Sequence, residues 1–159
     1  MTIHEHNDLP LFREDYRSPI RPYSIQLPGI RSGAEYYFKT GSELKYQVIF
    51  ARKKDNYLEN IVNFSVLSDE FEDEYSETNR GEIFRVIATV VEIIRIYHEN
   101  HAYSTSYEFS GEFREGEAQH KASIRSRLYF RKAREIINHG WEIRLSGNRV
   151  LVRRQKRWN

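Results

Sequence analysis

The chain has 159 residues, 39% of them hydrophobic and 30% charged, with no cysteine. That length and mix suit a domain that buries its own core, and the missing thiols exclude disulfides, thiolate metal sites and a cysteine nucleophile while fitting a reducing compartment. The net charge of +2 conceals a split: from Lys121 onward twelve Lys/Arg stand against two Glu, a local balance of +10 that leaves −8 for everything before it. Such a split points to an anionic partner for the C-terminal portion.

In chain order, the opening MTIHEHNDLP has neither a basic n-region nor an apolar h-region, so no secretory leader is expected. Residues 1–33 hold all four prolines, Pro10, Pro19, Pro22 and Pro28. These interrupt any helix and pull the residues before them toward extended conformations. The segment reads as an extended arm whose apolar residues, among them Leu11, Phe12, Tyr23 and Ile25, are too many for a disordered tail. It is expected to lie against the rest of the chain or a partner subunit, and residues 34–159 form a single α+β domain.

AEYYFKT from Ala34, then Glu43 to Lys53 with Tyr46, Val48 and Phe50 alternating, then Leu58 to Leu67 with Val62, Phe64 and Val66 alternating, predict three strands. Thr40-Gly41-Ser42 and Lys54-Asp55-Asn56 supply the turns of an antiparallel meander. SDEFEDEYSE, residues 68–77, carries six carboxylates in ten residues and is expected to be a solvated loop.

Gly81 to Asn100 reads GEIFRVIATVVEIIRIYHEN, with Ile83, Val86, Ile87, Val90, Ile94 and Tyr97 at helical spacing. Phe84, Ala88, Val91 and Ile93 widen the apolar stripe until Arg85, Thr89, Glu92, Arg95 and Glu99 are left for water, so this helix is the core around which the strands gather. Glu92 and Arg95 break its apolar run well short of the ~20 residues a bilayer span needs, and no membrane association is expected.

YSTSYEF, residues 103–109, predicts a strand, and residues 111–116 a loop. Glu117 to Asn138 reads as a second helix, with Leu128, Tyr129, Ala133, Ile136 and Ile137 inward and Lys121, Arg125, Arg127, Arg131 and Arg134 mostly outward. WEIRLS and RVLVRR flank Gly147-Asn148, a two-residue connection with Gly at the first central place, as a type II′ turn wants. The order is β-β-β-α-β-α-β-β, and the expected fold is α+β with a mixed, mostly antiparallel sheet and two helices.

That order resembles the latter part of the GNAT acyltransferase fold, and two stretches are similar to its marks. The family places an Arg/Gln-x-x-Gly-x-Gly/Ala loop where a helix follows the third strand; this chain has Asn79-Arg80-Gly81 there, without the full glycine pattern. The family's later helix ends in a Leu-Tyr-x-Lys-x-Gly-Phe-like stretch, matched in part by Leu128-Tyr129 and Gly140-Trp141. The resemblance implies that Asn79, Arg80 and Gly81 hold the pyrophosphate of coenzyme A or acetyl-coenzyme A and that Tyr129 is the general acid toward the thiolate. The two helices that precede the family's meander have no counterpart in the arm. ATV in the first helix and SRLYFRK in the second also resemble uncharacterised proteins of phages and Bacteroidetes, a likeness that implies a common fold and no activity.

Arg127, Arg131 and Arg134 fall at i, i+4 and i+7 of the second helix, one cationic stripe, with Lys121 and Arg125 on an adjoining line. Arg153 and Arg154 bring further charge from the hairpin, and Trp158 an aromatic from the tail. A hairpin packed beside that helix makes these one basic surface able to take nucleic acid. His4-x-His6 and His98-x-x-His101 form no recognised zinc pattern with His120, His139 or the glutamates, and no metal is expected.

The leading expectation is a non-catalytic binding or assembly protein of phage or bacterial type, cytoplasmic or virion-associated, needing no cofactor. It would associate with a protein partner or with itself through the arm and basic face. Acyl-CoA N-acyl transfer and nucleic-acid binding through Arg125, Arg127, Arg131, Arg134, Arg153 and Arg154 are the alternatives.

Overall fold

The long apolar segment is a helix from Arg80 to Asn100 in the computed structural model of the chain, which describes residues 10–66, 80–110 and 124–155. In chain order the elements are β1 (Ile25–Gln26), β2 (Glu35–Lys39), β3 (Lys45–Lys53), β4 (Asn56–Val66), α1 (Arg80–Asn100), β5 (Ser106–Ser110), α2 (Ile124–Ile136), β6 (Trp141–Ser146) and β7 (Arg149–Arg154). The acidic run 68–77, the loop 111–116 and the first part of the expected second helix, including Lys121, lie outside the described residues.

The strands form one seven-stranded sheet in the order β1-β2-β3-β4-β5-β7-β6. β4 and β5 pair in parallel, because 21 residues of helix carry the chain back between them. The pairs β1–β2, β2–β3, β5–β7 and β6–β7 are antiparallel. Among the described residues this is the α+β class with the mixed, mostly antiparallel sheet and two helices read from the sequence, plus a strand, β1, contributed by the arm.

The chain groups into two compact units, each drawn from separated segments. The unit of residues 17–50 and 63–100 holds an aromatic ladder in which Tyr23, Phe38, Tyr46 and Phe64 follow one another from the arm across β2, β3 and β4, with ring centroids 6.2, 5.0 and 5.2 Å apart. Tyr97 of α1 stacks on Phe50 of β3 at 3.9 Å, which seats the helix on the Tyr46–Val48–Phe50 face. Two positions of α1 depart from the periodicity. Thr89, expected to face water, is wholly buried: it accepts a hydrogen bond from Tyr23 N at 2.9 Å and donates one to Arg85 O at 2.7 Å. Phe84, expected inside, is 48% exposed.

The unit of residues 1–16, 51–62 and 101–159 is built on β5. Register sets Asn60 opposite Tyr107 and Val62 opposite Phe109, then Tyr107 opposite Val152 and Phe109 opposite Val150. Since side chains alternate across a strand, these share one face. Tyr129 of α2 lies against Phe109 and Trp141 against Tyr107, so α2 covers that face. The arm reaches the same unit: Phe12 bridges Ile137, Leu11 is buried, and Trp141 Nε1 donates to Pro10 O at 3.1 Å.

Candidate functional site: the arginine face of the second helix

α2 is amphipathic by its own period. Ser126 and Ile136 are buried, Leu128 and Tyr129 are half-buried, and Arg127, Arg131 and Arg134 are exposed on the other side. Ser126 anchors one end of the helix, its Oγ 2.9 Å from the carbonyl oxygen of Asn148 and 2.8 Å from that residue's Oδ1. The arm closes the other end. Arg13 Nε donates to Ile137 O at 3.2 Å, its Nη2 to Arg134 O at 3.3 Å, and its backbone N to Ile136 O at 2.9 Å. The last carbonyls of a helix lack partners within the helix and carry partial negative charge, so a guanidinium is suited to satisfy them.

Of the outward residues, Arg134 lies over the Phe130 ring at 5.6 Å, while Glu135 pairs with half-buried Lys132 at 3.5 Å. Arg127, Arg131 and Arg134 take part in none of the ion pairs found among the described residues. Arg125 belongs to α2, but its side chain lies outside the described residues.

Arg153 and Arg154 do not join this stripe. Val150 and Val152 turn toward α2, so alternation sends Arg149 and Arg153 to the opposite face of the sheet. There Arg153 meets Glu59 at 3.9 Å, Lys53 meets the same carboxylate at 3.8 Å, and Arg149 meets Glu108 at 3.7 Å. Arg154 lies over the Trp141 ring at 5.3 Å and donates to Ala102 O at 3.4 Å. The hairpin does pack beside the helix, yet the expected single basic surface splits into an arginine face on α2 and a charge-paired face on the far side. Trp158 lies outside the described residues.

The positions taken from the acyltransferase resemblance fall in different units. Arg80 and Gly81 are the first residues of α1, while Asn79 lies outside the described residues. The first-turn carboxylate, Glu82, accepts from Ser42 N at 2.8 Å and from Ser42 Oγ at 2.6 Å, and so fastens the β2–β3 turn. One turn on, Arg85 sits 4.0 Å over the Tyr23 ring and donates to Arg21 O. Tyr23's hydroxyl is pushed up from its ordinary range by burial foremost, and by Glu82, against the lowering effect of its Gly41 hydrogen bond and of Arg85. Tyr129 is half-buried, its ring 6.4 Å from that of Phe109. His98 and His101 are buried, and among the described residues no group of three or more His, Asp or Glu is gathered closely enough to hold a metal ion. No described helix is long and apolar enough to cross a membrane.

Sequence reading missed Arg13 as the cap of α2, and Arg52, Tyr57 and Tyr103 as exposed residues at one end of the sheet. Lys53-Lys54 followed by Tyr57 was the available sign of the latter. Comparison with protein-family models, with curated proteins and with solved structures gives no match for this chain.

Proposed function

We propose that this chain is a non-catalytic binding protein that grips a polyanion, nucleic acid first among them, along the outer face of α2. The carrying observation is that Arg127, Arg131 and Arg134 are all exposed on one side of a helix whose other side is sealed against the sheet. Helical rise sets Arg127 and Arg131 about 6 Å apart along the axis, and Arg134 about 4 to 5 Å beyond. Guanidiniums at such intervals can neutralise neighbouring phosphates along one strand, and each offers a planar fork of donors to phosphate oxygens. Binding of this kind needs no cofactor, and the cytoplasm or a phage particle is a fitting setting.

The test is fluorescence anisotropy of a labelled oligonucleotide across a salt series. Binding should weaken steeply as salt rises, and Arg127→Ala/Arg131→Ala/Arg134→Ala should reduce the slope of log K against log salt by about 2 to 3, at roughly 0.7–0.9 per phosphate contact. Salt-independent binding, or none, defeats the reading. Binding of an acidic polypeptide in place of nucleic acid would make the partner a protein, as assembly demands.

A second reading, acyl-CoA-dependent N-acyl transfer, draws on the start of α1 at Arg80-Gly81, where first-turn N–H groups are free of helical partners and suited to a phosphate. It requires saturable calorimetric binding of coenzyme A or acetyl-coenzyme A that Arg80→Ala weakens. It also requires an activity that Tyr129→Phe abolishes.

A further inference from the structure

We propose that the β3–β4 hairpin end of the sheet is a stacking site for single-stranded nucleic acid, with Tyr57 and Tyr103 as base platforms and Arg52, Lys54 and Arg153 as phosphate contacts. The proposal rests on the polyanion reading and narrows it to an unpaired strand. Its residues lie within the unit built on β5.

The first observation is where aromatic surface is left in water. Tyr36, Tyr46, Tyr97 and Tyr107 are buried, yet Tyr57 is 69% and Tyr103 44% exposed, and Leu58, next to Tyr57 in β4, is exposed as well. A ring left this exposed gains less for folding than a buried one, because part of its faces stays in water. The same faces suit a splayed nucleobase, since every base presents a π surface and none must be read by its edge.

The second observation is that the two platforms are held on one scaffold. Thr105 N donates to Leu58 O at 2.7 Å, and Thr105 O accepts from Arg154 N at 2.8 Å, so the segment carrying Tyr103 is tied to the strand carrying Tyr57 and to β7. Ser104 N donates to His101 O at 3.0 Å and closes the turn that presents Tyr103. The Tyr103 ring stands edge-on to His101 at 6.1 Å, and Arg52 both lies over the ring at 5.3 Å and donates to its hydroxyl. A ring fixed before binding loses less conformational freedom when a base arrives.

The third observation is charge. Arg52 lies against Tyr103, Lys54 precedes Tyr57 by three residues in the hairpin, and Arg153 meets Glu59, two residues beyond Tyr57; all three cations are exposed. Glu59 is shared by Lys53 and Arg153, so one carboxylate offsets two cations, and the other carboxylate of the hairpin is Asp55 in the turn. An acidic polypeptide would use the cations but would have no need of two exposed rings. A duplex would present phosphates with its bases stacked away. The combination of cations with open rings selects an unpaired strand.

The test uses the full chain with a labelled oligothymidylate of about 20 nucleotides, a duplex of equal length and polyglutamate, read by anisotropy at two salt concentrations. Tyr57→Ala and Tyr103→Ala are each expected to weaken oligothymidylate binding about 5- to 100-fold and to leave duplex binding and the salt slope unchanged. Tyr57→Phe should bind as the unsubstituted chain does, because the ring is kept. Near-UV circular dichroism of each variant reports whether the fold is retained. Wild-type-like oligothymidylate binding by the folded double variant Tyr57→Ala/Tyr103→Ala overturns the proposal, as does polyglutamate binding with the same loss in that variant. If Arg127→Ala/Arg131→Ala/Arg134→Ala removes all binding and the tyrosine variants remove none, the α2 reading stands and this one falls. If the tyrosine variants alone weaken binding, this site stands and the α2 reading falls.

Discussion

Tyr36 shows how a side chain chosen for its bulk acquires a second property. It sits in β2 with 1% of its surface exposed, edge-on to Phe50 at 5.7 Å. Burial, with a lesser effect from Tyr97, pushes its pKa from 10.0 up to about 12. A raised acid is held neutral in the folded chain and released in the unfolded one, so its effect on stability is fully present below pH 10 and is lost as pH rises from 10 toward 12. Urea unfolding at pH 9 and pH 11.5 should show the wild type losing about 2 kcal/mol more than Tyr36→Phe over that interval. Parallel losses in the two proteins would mean that Tyr36 ionises in the native state without cost. Thr89 makes the complementary point, because its hydroxyl lies in the interior to receive the Tyr23 N–H, a group that would otherwise be buried without an acceptor.

At the scale of elements, the readable parts were those in which one period dominates. Tyr46, Val48 and Phe50 alternate, and β3 follows; α1 begins within one residue of its expected start. Arg127, Arg131 and Arg134 were placed on one face because helical spacing alone fixes that. β1 could not be read, since Ile25 and Gln26 lie between Pro22 and Pro28 and two residues carry no period. Its pairing is fixed by Phe38 and Tyr37 across the gap, not by its own sequence. Thr89 and Phe84 depart from the helical period for a related reason: the arm lies over part of α1, and no helical period reports a neighbour from elsewhere in the chain. Tyr103, a good β-former, reads as strand, yet the ladder starts at Ser106. Turn chemistry was partly visible. Gly147, with φ of 57°, adopts the left-handed conformation that a type II′ turn requires, and Glu43 adopts φ of 69° with no glycine to signal it. Glu43 N donates to Thr40 O and Thr40 N to Leu44 O, and this closed turn holds Glu43 in a conformation that costs an L-residue about 1 kcal/mol. Glu43→Gly should therefore raise stability by several tenths to about 1 kcal/mol, despite the greater freedom of glycine in the unfolded chain. A lower denaturation midpoint in the glycine variant would show that the long exposed pair with Lys39 matters more than the backbone.

Across the whole molecule, the arm links the fold to the proposed function. Its docking within the chain rests on Leu11, buried to 2% exposure, on the Phe12–Ile137 bridge, and on Asn138 N donating to Leu11 O at 2.8 Å. Arg13, two residues on, caps the helix that carries the arginine face. Leu11→Ala removes the apolar anchor and leaves a cavity, for which large-to-small core changes cost about 2 to 5 kcal/mol. It should lower stability by an amount in that range. In a Trp158→Phe background the emission of Trp141, whose indole N–H bonds Pro10 O, should shift to the red and become more open to acrylamide. A loss under about 0.5 kcal/mol, the range of ordinary surface substitutions, would mean that the arm does not dock in solution. The consequence for binding follows from Arg13. If the last turn of α2 depends on that cap, Leu11→Ala should weaken oligonucleotide binding through Arg131 and Arg134 even though neither residue is altered. Arg13→Ala should produce much of the same loss with a smaller effect on stability. Full binding by a folded but undocked Leu11→Ala chain would separate the arm from the arginine face and leave it a role in stability alone.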